Sequence, residues 1–365
     1  MKVILAGGGT GGHVYPSLSV ARALEAETRS RGDALGLLYI GIRGRIDEQV
    51  VPRSGIEFRA VAAGALRVSS PLTFAVNIAK LALGTLQSTW IMLRYRPNAV
   101  FATGGYASVP VGIAARIMRR PLVVYLPDVT PGWAVRLLSR LATRMTTTSE
   151  RALAHLPAKK TSVVGYPVRE EFWSIDRTAA RAKLGLPADA TVLLVTGASL
   201  GARTINDAVF AALPRLLERC YVVHLAGSDD EARAADARSR LTEDARVRYI
   251  VRGFTDDMPA ALVAADLVVS RSGASTLGEL PAAGVASILI PGEYEGWSQA
   301  PNAEFLESAG AAVVLRNSEL DRLADTVLSI LNDSTRLQSM RDASRRLTRP
   351  EAARDLARIL LEVAA

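Results

Sequence analysis

A single cysteine, Cys220, stands in the 365-residue sequence, so no internal disulfide can form. That scarcity fits a reducing cytoplasm, and a thiol set beside Tyr221-Val222-Val223 is expected to be buried and structural. Asp-x-Asp is absent from the whole chain, which leaves a metal-diphosphate site of the kind that motif provides unsupported. No metal and no organic cofactor is expected. No apolar run is long enough to cross a bilayer uninterrupted: the longest, residues 72–93, is broken by Asn77, Lys80, Gly84 and Gln87. Their 3, 4, 3 spacing draws one polar stripe along an amphipathic helix. The N-terminal apolar stretch, Val3 to Ala6, is shorter than the ~7–15 residues of a secretory h-region and reads as a first strand.

Acidic residues are scarce in one half only. Residues 1–165 hold 21 Lys and Arg against 8 Asp and Glu, while residues 166–365 hold 23 against 28. A strongly basic half attracts an anionic partner: nucleic acid, an acidic membrane surface or a phosphorylated substrate. No recognisable aromatic-and-basic nucleic-acid module is present, so nucleic acid is not expected as a partner.

With 49% apolar and 22% charged residues the chain is that of a folded protein, and its length favours two domains at ~150 residues each. Short β-branched runs alternate with amphipathic segments, which predicts βα units and parallel sheets. Strands are expected at 2–6, 35–40, 58–62, 99–102, 122–125, 145–148 and 161–164, then afresh at 192–196, 221–225, 247–251, 267–270, 286–290 and 311–315. The fold class is therefore α/β, with two doubly wound Rossmann-like domains facing across a cleft. The first is expected to span residues 1–164 and the second 165–349. Pro350 is placed to begin a last helix, and segment 350–365 is expected to join the first domain.

Four glycine-rich turns follow strands. Gly7-Gly8-Gly9-Thr10-Gly11-Gly12-His13 precedes a helix expected to begin near Pro16, a setting in which backbone N–H groups surround an anion such as phosphate. Its G-x-G-x-x-G also fits a dinucleotide fold, but strand two ends at Ile40-Gly41, where that pattern wants a carboxylate for the ribose. Gly197-Ala198-Ser199-Leu200-Gly201 has the form of a hydrolase nucleophile elbow. Only His224 follows it, inside a strand and too early for an acid loop to come between, so a phosphate-cradling turn is the better account. Thr103–Ser108 and Arg271–Thr276 complete the set, and together they suggest two phosphorylated ligands.

GGTGGHVYP (8–16), GGYASVP (104–110), GYPVR (165–169), GASLGAR (197–203), the 254–258 segment, SRSGASTLGE (270–279) and the 299–302 segment occur in an order that resembles the MurG family, the undecaprenyl-diphospho-muramoylpentapeptide N-acetylglucosaminyltransferases. The resemblance covers nearly the whole chain. It implies a GT-B fold, UDP-GlcNAc as donor, a polyprenyl-diphosphate-linked muramoyl-pentapeptide as acceptor, and a peripheral place on the cytoplasmic face of the membrane. Carried over, Arg169, Ser199, Gly201, Phe254 and Met258 surround UDP, Glu279 binds the ribose hydroxyls, and Gln299 and Asn302 touch the GlcNAc. Thr10, Gly11 and Gly12 are expected to reach the nucleotide sugar, and Gly104, Gly105, Tyr106 and Ser108 the acceptor. The family's His-Glu-Gln-Asn stretch is here Tyr125-Leu126-Pro127-Asp128, and Ser298 replaces the first of two glutamines.

An inverting transfer needs a base on the acceptor side and positive potential at the departing phosphate. His13, at the end of the first glycine turn, and Asp128, the carboxylate left in the altered stretch, are the two catalytic candidates. His13 has an alternative role in closing the loop or orienting the acceptor. Leu72, Phe74, Val76, Trp90 and Ile91, bordered by Lys80, Arg94 and Arg96, form a candidate contact with an anionic membrane. Other readings remain: a related transferase with another lipid or small-molecule acceptor, a UDP-GlcNAc epimerase, and a noncatalytic UDP-sugar binder.

Overall fold

The computed structural model describes all residues except 65–69, 198–200 and 295–296, and the side chain of Tyr294. The chain divides into two compact units, Met1–Arg169 with Arg349–Ala365, and Glu170–Thr348. Each is built on its own sheet.

In the first unit β1 (Lys2–Ala6), β2 (Gly36–Gly41), β3 (Glu57–Ala60), β4 (Ala99–Ala102), β5 (Leu122–Leu126), β6 (Arg144–Thr147) and β7 (Thr161–Val163) form a parallel sheet in the order β3-β2-β1-β4-β5-β6-β7. Helices cover both faces, so the central strands are apolar throughout rather than alternating: Val3, Ile4, Leu5 and Ala6 are all fully buried. Ile4, Leu38, Val100 and Val124 pack with Met92, Val111 and Leu138 from the covering helices. The last helix, Ala352–Ala364, returns to this unit and packs along the first, Gly11–Ser30. Leu356, Ala357 and Leu360 form its buried stripe, and Glu27 at the rim meets Arg354 and Arg358.

The second unit repeats the plan. β8 (Val192–Thr196), β9 (Tyr221–Leu225), β10 (Tyr249–Arg252), β11 (Leu267–Ser270) and β12 (Ala286–Leu289) are followed by a short antiparallel hairpin, β13 (Glu293–Tyr294) with β14 (Trp297–Ser298), and then β15 (Ala312–Val314). The parallel order is β10-β9-β8-β11-β12-β15. Val195, Val222, Val269 and Ile288 meet Ile205, Val209, Leu213 and Val327 in its core. In both sheets the order reverses beside the first strand, and such a switch point opens a crevice at the carboxyl ends.

Three expectations need correction. The first helix begins at Gly11, not near Pro16. Proline has no N–H to give Gly12 O, four residues back, and the hydroxyl of Tyr166 donates to that carbonyl instead, at 3.4 Å. Residues 247 and 248 end the Glu243–Arg248 helix rather than starting a strand, and Val247 is exposed. Third, Ile91 leaves the outward apolar surface of the Pro71–Tyr95 helix, whose docking side is the polar stripe apart from Lys80, which stays exposed. Asn77, Gly84 and Ser88 are buried, and Gln87 accepts a hydrogen bond from the Ala62 N–H at 2.8 Å. Gly84 lies where any Cβ would collide with the Ala62 carbonyl. The helix therefore leaves Leu72, Leu83, Leu86, Trp90 and Leu93 in solvent, with Leu86 69% exposed. Ile91, expected on that apolar surface, is buried in the core.

Candidate functional site

In the first unit the turns after β1 and β4 are fitted to each other. Gly105 adopts φ 78° and lies so close to Gly8 O that no side chain could stand there. Gly104, at φ 94°, borders the imidazole of His13. His13 Nδ1 is 2.7 Å from Thr103 O. A carbonyl only accepts, so Nδ1 carries the proton and Nε2 of a neutral ring keeps its lone pair, the tautomer a base requires. Thr103 Oγ1 and Ser17 Oγ both donate to His13 O, at 2.9 and 3.1 Å, which fixes the backbone from which the ring projects.

The other residues assigned to this unit take distinct places. Thr10 precedes the first helix, and Gly11 and Gly12 open it. Ser108 is buried and donates to Ala6 O and Gly104 O, so it braces the turn. Tyr106 stands half exposed at the rim. Arg169 belongs to this unit and lies over the ring of Tyr15, 4.7 Å from its centroid. Asp128 is partly exposed two residues beyond β5, whereas Tyr125 faces the interior. The Tyr125 hydroxyl lies 2.7 Å from Thr148 Oγ1 and 3.1 Å from Gly165 O, and burial raises its pKa well above the ordinary phenol value. The first position of the altered stretch thus serves the core.

Asp47 went unnoticed in the sequence, where it is one carboxylate of a helix start. Fully buried, it accepts from Ile42 N at 2.8 Å and from Gly9 N at 3.5 Å, and so ties the first glycine turn to the exit of β2. Its signal was positional only: an acid in the first turn of the Ile46–Arg53 helix.

In the second unit the turn after β8 contains Gly197 and Gly201; Ser199 lies outside the described residues. Gly201 has φ 81° and abuts Ala226 O. Phe254 is half exposed just past β10, and Met258 opens the Met258–Ala264 helix, whose cap Asp257 accepts from Ala260 N at 3.1 Å. Glu279, partly exposed, sits in the first turn of the Thr276–Ala283 helix.

Gln299 and Asn302 are drawn into one buried knot. Ser272 Oγ donates to Gln299 O at 3.0 Å, Asn302 Nδ2 donates to Ser272 O at 3.0 Å, and Gln299 Oε1 accepts from Gly292 N at 2.9 Å. The turn after β11 is thereby joined to the hairpin after β12. Arg271, missed by sequence reasoning, extends the joint: it donates to Ile290 O, to Asn317 Oδ1 at 2.9 Å and to Thr204 Oγ1 at 2.9 Å. Among the described residues no three His, Cys, Asp or Glu are grouped as metal ligands. Cys220 is buried, with its thiol pushed up to about 12 by desolvation, which suits a structural place.

Comparison with known proteins matches residues 3–147 to the glycosyltransferase family 28 N-terminal domain and residues 192–356 to its C-terminal domain. A protein of Roseiflexus sp. (strain RS-1), named UDP-N-acetylglucosamine--N-acetylmuramyl-(pentapeptide) pyrophosphoryl-undecaprenol N-acetylglucosamine transferase, is 39% identical over 99% of this chain and 94% of its own length. A relative of the same name from Desulforudis audaxviator is 38% identical over 100% of this chain and 99% of itself. Among solved structures, MurG of Acinetobacter baumannii aligns with a TM-score of 0.75 at 22% identity, covering 99% of both chains. The UDP-GlcNAc 2-epimerase of Neisseria meningitidis aligns at 0.71 and 13% identity over 99% of this chain and all of its own, a likeness of fold alone. The two parallel-sheet units have the GT-B fold, and the chain belongs to glycosyltransferase family 28 and, within it, to the MurG family of N-acetylglucosaminyltransferases.

Proposed function

We propose that this protein transfers GlcNAc from UDP-GlcNAc to a polyprenyl-diphosphate-linked muramoyl-pentapeptide, with inversion at the anomeric carbon and without a metal. One observation carries the reading: full-length similarity to relatives whose names state this reaction. The first unit receives the acceptor. Its hydroxyl oxygen attacks the anomeric carbon, the bond from that carbon to the UDP oxygen breaks, and the hydroxyl proton passes to Nε2 of His13. Support for this role is the tautomer imposed by Thr103 O. Asp128 orients the acceptor beside it.

The second unit holds the donor. Ser199 and Gly201 bind the diphosphate, and the dipole and free N–H groups at the start of the Arg203–Leu217 helix offset the charge that develops on UDP. Arg169 adds a guanidinium. Phe254 and Met258 border the uridine, Glu279 accepts from the ribose hydroxyls, and Gln299 and Asn302 fix the turn that presents the sugar. Thr10, Gly11 and Gly12 contribute to nucleotide-sugar binding, and Gly104, Gly105, Tyr106 and Ser108 shape the acceptor site.

A membrane-bound acceptor requires a surface that meets lipid. No helix of the described residues is long and apolar enough to cross a membrane. The outward face of the Pro71–Tyr95 helix, flanked by Lys80, Arg94 and Arg96, supplies a peripheral contact with anionic lipid on the cytoplasmic face. A second reading keeps the donor and changes the acceptor, and the inward-turned Tyr125 favours it. Labelled UDP-GlcNAc incubated with vesicles bearing either lipid-linked muramoyl-pentapeptide or another glycolipid separates the two. Label moving to the muramoyl lipid supports the first reading; label moving only to the other glycolipid supports the second, and transfer to neither contradicts both.

A further inference from the structure

Beneath the turns that close β8, β9 and β10 lies a chain of buried polar groups that the transfer chemistry does not use. His224 on β9 and Asn206 in the Arg203–Leu217 helix are fully buried, and Tyr249 on β10 and Asp230 beyond β9 complete the set. Hydrogen-bond polarity along it is fixed. Asn206 Nδ2 lies 2.8 Å from Ala226 O and 2.8 Å from Asp230 Oδ2, two groups that only accept. Asn206 Oδ1 therefore faces His224 Nε2, at 3.0 Å, and requires a proton there. Nδ1 of the neutral ring is then bare and accepts from the Tyr249 hydroxyl at 2.8 Å. Arg233 closes the far end on Asp230 Oδ1 at 2.9 Å.

This chain ends on the turns that carry the donor-site residues. Ala226 O, which accepts from Asn206, is the atom against which Gly201 is pressed. Ala226 N donates to Arg252 O at 3.0 Å and Gly227 N to Gly253 O at 2.9 Å, one residue before Phe254. Burying these polar side chains costs desolvation that apolar side chains of similar size would avoid. What the polar set adds is a single permitted arrangement of three loops.

We propose that Asn206, His224 and Asp230 are positioning residues for nucleotide binding, holding the β8, β9 and β10 turns in the geometry that receives UDP. The inference rests on the reading that the second unit binds UDP. Desolvation, opposed only in part by Asp230, pulls the His224 pKa from 6.5 down to about 4, so at neutral pH the ring stays uncharged and the polarity above is the one present.

Calorimetry with UDP on the full chain tests this. His224→Leu and Asn206→Ala are each expected to weaken UDP binding about tenfold, the scale of one lost buried hydrogen bond, with the acceptor KM unchanged. His224→Gln, whose amide keeps a donor for Asn206 and an acceptor for Tyr249, is expected to stay within about threefold. A set that served stability alone would lower the melting temperature and leave the Kd of the folded variants untouched, and that result overturns the proposal. Should the first two variants fail to fold, the nitrogen NMR spectrum of the three histidines of the wild-type chain decides the matter. Protonated Nε2, bare Nδ1 and a His224 shift on adding UDP support it; the opposite tautomer, or a ring that ignores UDP, overturns it. Failure of the wild-type chain to bind UDP would instead remove the functional reading beneath it.

Discussion

At the residue scale, His13 and His224 show how the same side chain is assigned opposite tasks by its partners. His13 donates a hydrogen bond from Nδ1 to Thr103 O, which leaves the lone pair of the neutral ring on Nε2; His224 has both nitrogens engaged, by Asn206 and Tyr249. His13→Ala is expected to lower kcat by about 10²–10⁴-fold with UDP affinity little changed, as loss of a general base does. A near-normal kcat at saturating acceptor would assign the proton elsewhere, and Asp128→Asn shows whether it goes to that carboxylate. Glu279→Ala is expected to weaken UDP binding by roughly 1–3 kcal/mol if it accepts from both ribose hydroxyls. Unchanged affinity would leave Glu279 a carboxylate that stabilises its helix start.

Titration of His224 also bears on stability. The groups around it are the Tyr249 phenol, the Asn206 amide, the Asp230 carboxylate held by Arg233, and the Phe210 ring. Its pKa falls from 6.5 in the unfolded chain to about 4 in the folded one. Between those values the unfolded state binds more protons, so stability is full above pH 6.5, falls as pH is lowered toward 4, and has lost about 3 kcal/mol from this group below that. Urea unfolding at pH 7 and pH 5 should show a smaller loss in His224→Gln than in the wild type. Equal losses would mean that His224 carries a charge without penalty.

At the scale of elements, the Pro71–Tyr95 helix teaches the limits of periodicity. Residue spacing established that one stripe was polar but not which way it faced, because direction depends on what the stripe meets. Gly84 gives the Ala62 carbonyl its closest approach and Gln87 accepts from the N–H of the same residue, so the polar side is the docking side. The exposed apolar side is expected to bind anionic vesicles, with Arg94 stacked 4.2 Å over Trp90 at its edge. Replacing Lys80, Arg94 and Arg96 with Glu, or Leu83 and Leu86 with Glu, should each reduce co-sedimentation by tenfold or more, at about 1 kcal/mol per basic residue and ~1.5–3 kcal/mol per buried leucine. Retention by both variants would put the membrane contact elsewhere. Parallel strands were legible because helices on both faces leave them uniformly apolar; the two-residue strands β13 and β14 were not, being too short to show a period. The early start of the first helix was hidden by Gly11 and Gly12, which ordinarily argue against a helix.

On the scale of the whole molecule, charge separates between the units. The first holds 25 Lys and Arg against 11 Asp and Glu, the second 19 against 25. This charge separation is what the proposed division of labour requires, with the acceptor lipid on the basic unit and the nucleotide on the other. UDP binding measured with and without chelator should give the same Kd, whereas its loss in chelator would contradict metal-free binding. The glycine turns and their order along the chain were legible, since each needs a local backbone geometry. Contacts such as Ser272 with Gln299 and Asn302, or Asp47 with Gly9, join residues remote in sequence and left no local trace.

The most direct measurement is the structure of the product formed from labelled UDP-GlcNAc and lipid-linked muramoyl-pentapeptide, read by NMR of the new glycosidic linkage while released UDP is counted. The donor carries its sugar in the α configuration, so one displacement at the anomeric carbon yields a β-linked GlcNAc on the muramoyl sugar with one UDP released for each. An α linkage, a sugar other than GlcNAc, or UDP released without a glycosylated lipid would contradict inverting transfer by this protein.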